Sequence, residues 1–264
     1  MVGDMWSPAE YLSYADERER PFWDLVARVH APHARHVVDL GCGPGTATAR
    51  LLGHWPQATV LGIDSSPAML QQAGARAVPG RLRFELADMA LWRPVPGSLD
   101  VVLSNAALHW VPGHAELLGQ WLAGLRPGGV LAFQVPGNFS APSHVLLREL
   151  VASPRWRSRL SGAGDAPGAY SPAEYHRWLT GLGAVAEVWE TTYYHALTGP
   201  DPVAHWLQGS ALRPYLSLLQ ADDAAELLDS YAAAVREAYP PGPDGTTLFP
   251  FRRVFVVANV GRAG

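Results

Sequence analysis

The chain has 264 residues, of which 48% are hydrophobic and 17% charged, enough apolar material for one α/β domain with additions. Its net charge of −4, with no basic run, argues against a polyanion such as nucleic acid as partner. All twenty basic residues are arginine, which excludes lysine Schiff-base and lysine general-base chemistry and leaves guanidinium as the fixed cation of any site.

Tyr11 to Ala31 reads as helical, with a break expected near Arg20-Pro21. A regular alternation follows: strand His36–Leu40, helix Thr46–His54, strand Thr59–Ile63, helix Ser66 to Val78, strands Leu82–Leu86 and Leu99–Leu103, helix Ala115–Leu125 and strand Val130–Val135. Strands alternating with helices imply right-handed βαβ units and a mainly parallel sheet. After Pro136 the rhythm changes. Helices are expected at Pro142–Ala152, Ser171–Leu182, Val203–Gln208 and Asp222–Tyr239, with strands at Val185–Tyr194 and Arg253–Val260. The expectation is one domain: a helical cover (1–31), a cofactor-binding core (32–136), lid insertions (137–245) and a final strand (246–264).

Cys42 is the lone cysteine, so no intrachain disulfide forms, which suits a reducing cytoplasm. Met1 to Glu10 lacks the basic and apolar regions of a secretory signal, and no apolar run approaches the roughly 20 residues that span a bilayer. His30, His33 and His36 recur every third residue, but Pro32 interrupts them and no carboxylate completes a set, so no metal is expected.

The sharpest motif is Val37-Val38-Asp39-Leu40-Gly41-Cys42-Gly43-Pro44-Gly45, a strand running into a glycine turn that opens a helix. Glycines permit close backbone approach to a ligand, and the helix start offers free N–H groups. A dinucleotide fingerprint reads G-x-G-x-x-G. Here the third glycine falls one residue early and the turn follows a carboxylate, Asp39, which would repel a pyrophosphate but attract an ammonium. A nicotinamide oxidoreductase is thereby disfavoured. Asp64, about 20 residues on, ends the second strand where a ribose-hydroxyl acceptor stands in such folds, although Ser65 or Ser66 equally suits the helix cap there. Glu85-Leu86-Ala87-Asp88-Met89 ends the third strand, offering an acceptor for an amino group and a thioether for a ring face. Leu103-Ser104-Asn105-Ala106-Ala107-Leu108-His109-Trp110 ends the fourth, placing polar and aromatic groups at the sheet's carboxyl edge.

Together these motifs resemble the class I S-adenosylmethionine-dependent methyltransferases, with their Rossmann-like, mostly parallel seven-stranded sheet. Tyr11 through Arg20-Pro21, Asp64-Ser65-Ser66-Pro67-Ala68-Met69, Asn105 to Trp110, Thr191-Thr192-Tyr193-Tyr194-His195, Leu212-Arg213-Pro214 and Phe249-Pro250-Phe251-Arg252-Arg253-Val254-Phe255 further resemble the trans-aconitate 2-methyltransferase family over nearly the whole chain. The resemblance implies S-adenosylmethionine as cofactor, held by Asp39, Gly41, Gly43, Gly45, Asp64, Ser65, Met69, Asp88, Met89 and Asn105, with Tyr14 and Arg20 folding over it. It also implies a small carboxylate as acceptor.

An ionised carboxylate is nucleophilic at pH 7 without a base, so positioning supplies the catalysis. What the site needs is cations and hydroxyls; Arg213, Arg252, Tyr193, Tyr194, His195 and Trp110 are the candidates. Of Arg252 and Arg253, strand alternation turns only one inward. Two rivals stand: an O- or C-methyltransferase using His109 or His195 as base on a secondary metabolite, and a non-catalytic S-adenosylmethionine-binding module.

Overall fold

The computed structural model describes residues 15–163 and 168–261; Tyr14 lies outside them. The described residues form two compact units. One contains residues 16–136, 168–191 and 253–261, and the other is built on residues 137–163 and 192–252.

The first unit carries α1 (Ala15–Val26), β1 (His36–Leu40), α2 (Thr46–His54), β2 (Thr59–Asp64), α3 (Pro67–Gly74), β3 (Leu82–Leu86), β4 (Leu99–Asn105), α4 (Leu118–Gly124), β5 (Leu125–Pro136) and α7 (Pro172–Gly181). With β6 (Val185–Leu197) and β7 (Thr247–Asn259) the strands form one seven-stranded sheet in the order β3-β2-β1-β4-β5-β7-β6. β1 pairs in parallel with β2 and β4, β2 with β3, and β4 with β5; β7 then runs antiparallel to β5. The unit boundary falls within β6, between Thr191 and Thr192, and within β7, between Arg252 and Arg253.

Short apolar runs make the central strands because both faces are covered. Val38, Leu40, Val102, Leu131, Phe133, Val135, Val254 and Val256 share one buried cluster with Trp121, Tyr175 and Leu179. His114 is fully buried in this unit and its Nε2 lies 2.7 Å from the Tyr175 hydroxyl; burial pushes its pKa down, so it is neutral and structural.

The second unit has its own core. α5 (Pro142–Ala152), α6 (Arg157–Leu160), α8 (Pro202–Gln208), α9 (Arg213–Leu216) and α10 (Ala221–Ala238) pack around Trp156, Trp206, Tyr231 and Phe249. Arg155 and Arg159 on its surface meet Asp223 and Glu226.

Three expectations need correction. The helix does not break at Pro21: α1 runs through it, because Phe22, Leu25 and Val26 are buried and packing outweighs the missing N–H. The helix begun at Ser66 stops at Gly74, since Val78 bridges to Leu82. The segment expected as a helix from Ala115 is a 3₁₀ turn (His114–Leu117) followed by the short α4, and Leu125 already pairs with Leu99 as a strand. No helix among the described residues is long and apolar enough to cross a membrane.

Candidate active site

The glycine turn joins β1 to α2. Gly41, Gly43 and Gly45 have φ of 75°, 56° and 75°, in the left-handed region that a side chain strains. Their surroundings differ. A Cβ on Gly41 would meet the Ala107 methyl at 2.3 Å and Met89 Cε at 3.0 Å, and one on Gly45 would meet the Phe84 ring at 2.6 Å. These two glycines answer to the protein's own packing. A Cβ on Gly43 would meet nothing within 4 Å among the described residues. Gly43 is therefore the position where the backbone is bare toward open space, which is what a ligand in close approach requires. The helix beyond has no side-chain cap at Gly45, so its first N–H groups are not claimed by a cap.

Asp64 is tied into the same turn. Its Oδ2 accepts from Gly43 N at 2.8 Å and its Oδ1 from Ser66 N at 2.9 Å. Ser66, not Asp64, caps α3, accepting from Met69 N. The carboxylate so held stands at the end of β2, beside the glycine turn. Ser65 beside it is exposed and Met69 is buried.

Asp39 is 3% exposed and its Oδ2 accepts from the Thr48 hydroxyl at 2.6 Å. Burial raises its pKa to about 6, against the lowering effect of that hydrogen bond, with the nearby Asp64 charge raising it further. A buried acid with this pKa is poised to ionise fully when a cation arrives. Asp88 is exposed and its Oδ1 accepts from Ala90 N, an ordinary turn contact; Met89 is half-buried, with its Cε lying by the Gly41 turn. Arg20 is an exposed residue of α1.

The segment after β4 bends sharply. Ala106 has φ 50°, uncommon for a residue with a side chain, and its N–H donates to the Gln134 carbonyl. The turn brings Ala107 against Gly41 and leads into the 3₁₀ turn Leu108–Trp110. His109 is buried, its ring 4.8 Å from that of half-buried Trp110.

The strand register sorts the edge residues by face. Asp39 pairs with Leu103, Asn105 with Gln134, and Gln134 with Phe255, so Asp39, Asn105, Gln134 and Arg253 share one face at the carboxyl edge of the parallel strands. Arg253 is 4% exposed and donates through Nη1 to Gln134 Oε1 at 3.1 Å, and the Gln134 amide nitrogen donates to Asn105 Oδ1. Sequence reasoning missed Gln134. Its signal was a lone polar residue inside the apolar run Val130–Val135.

In the second unit, Tyr193 and His195 are buried, and the His195 ring stacks on Trp206 at 4.4 Å. Tyr194 alternates to the other side and is exposed, so these three neighbours do not share a face. Arg213 is half-buried at the start of α9. Arg252 is exposed; its Nε donates to the Gly137 carbonyl and its backbone N–H to Asn138 Oδ1. Alternation along β7 thus buries Arg253 and exposes Arg252. Among the described residues no cluster of three or more His, Cys, Asp or Glu is arranged to hold a metal ion.

Comparison with known proteins fits this geometry. The family described as "Methyltransferase domain" matches residues 37–129, from β1 into the first residues of β5. A trans-aconitate 2-methyltransferase of Streptomyces avermitilis is 51% identical over 263 residues, covering 96% of each chain. The chain belongs to the trans-aconitate 2-methyltransferase family. Another member, from Mycolicibacterium gilvum, is 48% identical and covers 97% of this chain and 99% of its own. Among solved structures, the YcgJ protein of Bacillus subtilis superposes with a TM-score of 0.58 at 14% identity, covering 92% of this chain and 98% of its own. The geranyl diphosphate C-methyltransferase of Streptomyces coelicolor gives 0.53 at 17% identity, covering 93% and 77%. These distant likenesses show that the chain has the class I methyltransferase fold.

Proposed function

We propose that the protein transfers the methyl group of S-adenosylmethionine to a carboxylate of a small polycarboxylic acid, trans-aconitate foremost, giving the methyl ester. The observation that carries the reading is full-length similarity to trans-aconitate 2-methyltransferases at up to 51% identity, together with a glycine turn bare at Gly43. The residues present suit the cofactor. The open side of Gly43 admits close approach, Asp64 accepts ribose hydroxyls, and the buried Asp39 offers a carboxylate to the ammonium of the methionine moiety.

When bound, S-adenosylmethionine supplies a methyl on a positively charged sulfur, which a carboxylate oxygen takes by in-line displacement: the O–CH₃ bond forms as the S–CH₃ bond breaks, and the thioether leaves neutral. No proton moves, so the protein's task is to bind and align two partners of opposite charge. The sequence assigns substrate contacts to Tyr193, Tyr194, His195, Arg213, Arg252 and Trp110, to be tested one by one. The reading treats the chain as one methyltransferase domain and places it in the cytoplasm, supported by the single, buried Cys42, with no nucleic acid as partner, supported by the net charge of −4.

The test is a methyl-transfer assay with labelled cofactor over a panel of di- and tricarboxylates, with products identified by mass. Methyl ester formed on trans-aconitate in preference to the other acids supports the reading. Methylation of a hydroxyl or carbon instead, or cofactor binding without any turnover, overturns it.

A further inference from the structure

The polar chain on the Asp39 face has a direction, and chemistry fixes it. Arginine only donates hydrogen bonds. Arg253 therefore requires an oxygen from Gln134, which it finds in Oε1. Gln134 is fully buried, and with its oxygen so committed it turns its NH₂ group to Asn105. Asn105 must meet that donor with Oδ1, so its own NH₂ group is the outward end. Asn105 is half-buried, and no described residue accepts from its amide nitrogen. The amide orientations, commonly ambiguous, are here set by a group that cannot reverse.

The relay runs from a cation and ends in a donor. A positive charge at its root polarises both amides and strengthens that last donor. What such an end selects is an oxygen acceptor, best an anionic one. The same edge carries Asp39 on β1. The row thus has an acid at the strand that opens the glycine turn and a guanidinium-backed donor toward β5 and β7. A cationic partner is drawn to the first and an anionic one to the second, which sorts two substrates of opposite charge along one edge. The strained Ala106 follows Asn105 directly, holding the residue at the point where β4 ends.

We propose that the Asn105 amide, held donor-outward by Arg253 through Gln134, is a recognition point for a carboxylate of the acceptor acid and not, as the family resemblance implied, a contact of the cofactor, with Arg253 and Gln134 as positioning residues. This rests on the proposed function in taking the acceptor to be a polycarboxylate. It gives the inward-facing arginine of the Arg252-Arg253 pair a role that acts through two amides.

The decisive variant is Gln134→Glu. It keeps the shape and gives Arg253 a buried carboxylate partner, but it can no longer donate to Asn105. Asn105 then turns its NH₂ group inward and its oxygen outward, toward the acid. The expected result is a KM for trans-aconitate raised at least 10-fold, an equal weakening of acid binding to the protein–S-adenosylhomocysteine complex by calorimetry, and S-adenosylmethionine affinity within about 3-fold of the parent. Asn105→Asp should do the same without touching Arg253. Arg253→Lys, also an obligate donor, should keep the KM within a few-fold where Arg253→Met does not; if either Arg253 variant fails to fold, the Gln134 and Asn105 variants decide. Unchanged acid binding in folded Gln134→Glu and Asn105→Asp proteins overturns the proposal. So does a loss of cofactor affinity as large as the loss for the acid, which would assign the amide to the cofactor's own carboxylate. If the parent binds polycarboxylates without turnover, the proposed function fails while the calorimetry still judges the relay. If the parent binds none, both fail.

Discussion

Replacing Gly43 by alanine separates what the protein demands of its glycine turn from what a ligand demands. At φ 56° an alanine is strained by about 1–2 kcal/mol. No described residue lies within 4 Å of the added methyl, so these residues add no packing cost to the strain. Gly45→Ala carries similar strain at φ 75° and also drives a methyl to within 2.6 Å of the Phe84 ring and 3.0 Å of Ala73 Cβ. Overpacking of that kind costs about 1–3 kcal/mol more. Gly43→Ala should therefore be the more stable of the two by urea denaturation, by about 1–3 kcal/mol. Its S-adenosylmethionine affinity should nonetheless fall at least 10-fold, because the methyl occupies the space that close approach needs. Calorimetry on the two folded variants, beside the denaturation curves, makes the comparison. A Gly43→Ala protein that binds the cofactor as tightly as the parent would refute the reasoning, and so would one less stable than Gly45→Ala.

Asp39, with its pKa raised to about 6, should make cofactor affinity fall as pH drops through 6, since the protonated acid offers no charge to the ammonium; Asp39→Asn should flatten that profile in a calorimetric titration. The same shift destabilises the cofactor-free protein: the folded state holds a proton that the unfolded state releases from about pH 4, so stability from this group declines between pH 4 and 6, by up to about 3 kcal/mol, and Asp39→Asn should raise the melting temperature at pH 7. Asp64→Ala should weaken cofactor binding by about 1–3 kcal/mol and also lower thermal stability, because Gly43 N and Ser66 N lose their acceptor; normal affinity would remove Asp64 from the site. Arg213→Ala and Arg252→Ala should each lower kcat/KM on the acid by roughly 10²-fold while cofactor affinity stays within a few-fold, and unaltered kinetics would strike that residue from the substrate site. His109→Ala and His195→Ala should introduce no change in the pH–rate profile near 6.5; a profile that climbs through that pH in the parent and flattens in either variant would transfer the enzyme to base-assisted hydroxyl or carbon methylation.

The parallel sheet was legible because each central strand is a short run of Val, Leu and Ile between turn residues, a local signal that tertiary packing only reinforces. The passage of α1 through Pro21 was not, since it depends on Phe22, Leu25 and Val26 finding a core that no local rule describes. The glycine motif read correctly as a turn, but the sequence makes its three glycines equivalent. Only the fold divides Gly43, which faces open space, from Gly41 and Gly45, which face Ala107 and Phe84. Likewise Arg252 and Arg253 are identical letters whose difference is a strand register. The directed chain from Arg253 to Asn105 joins residues 148 positions apart, beyond the reach of any spacing rule.

Phe84 also lies over Gly62, where a Cβ would come within 2.6 Å of its ring. One aromatic side chain on β3 thus fills the volume that two glycines leave vacant. While Phe84 stands, alanine is overpacked at both positions; once it is trimmed to leucine, Gly62→Ala should be left with the Cys42 Sγ contact at 3.0 Å, and Gly45→Ala with its backbone strain and the Ala73 contact. The order in which changes can accumulate is therefore constrained: the large residue must shrink before a small one can grow. The turn is historically locked by a neighbour that never needs to touch the ligand.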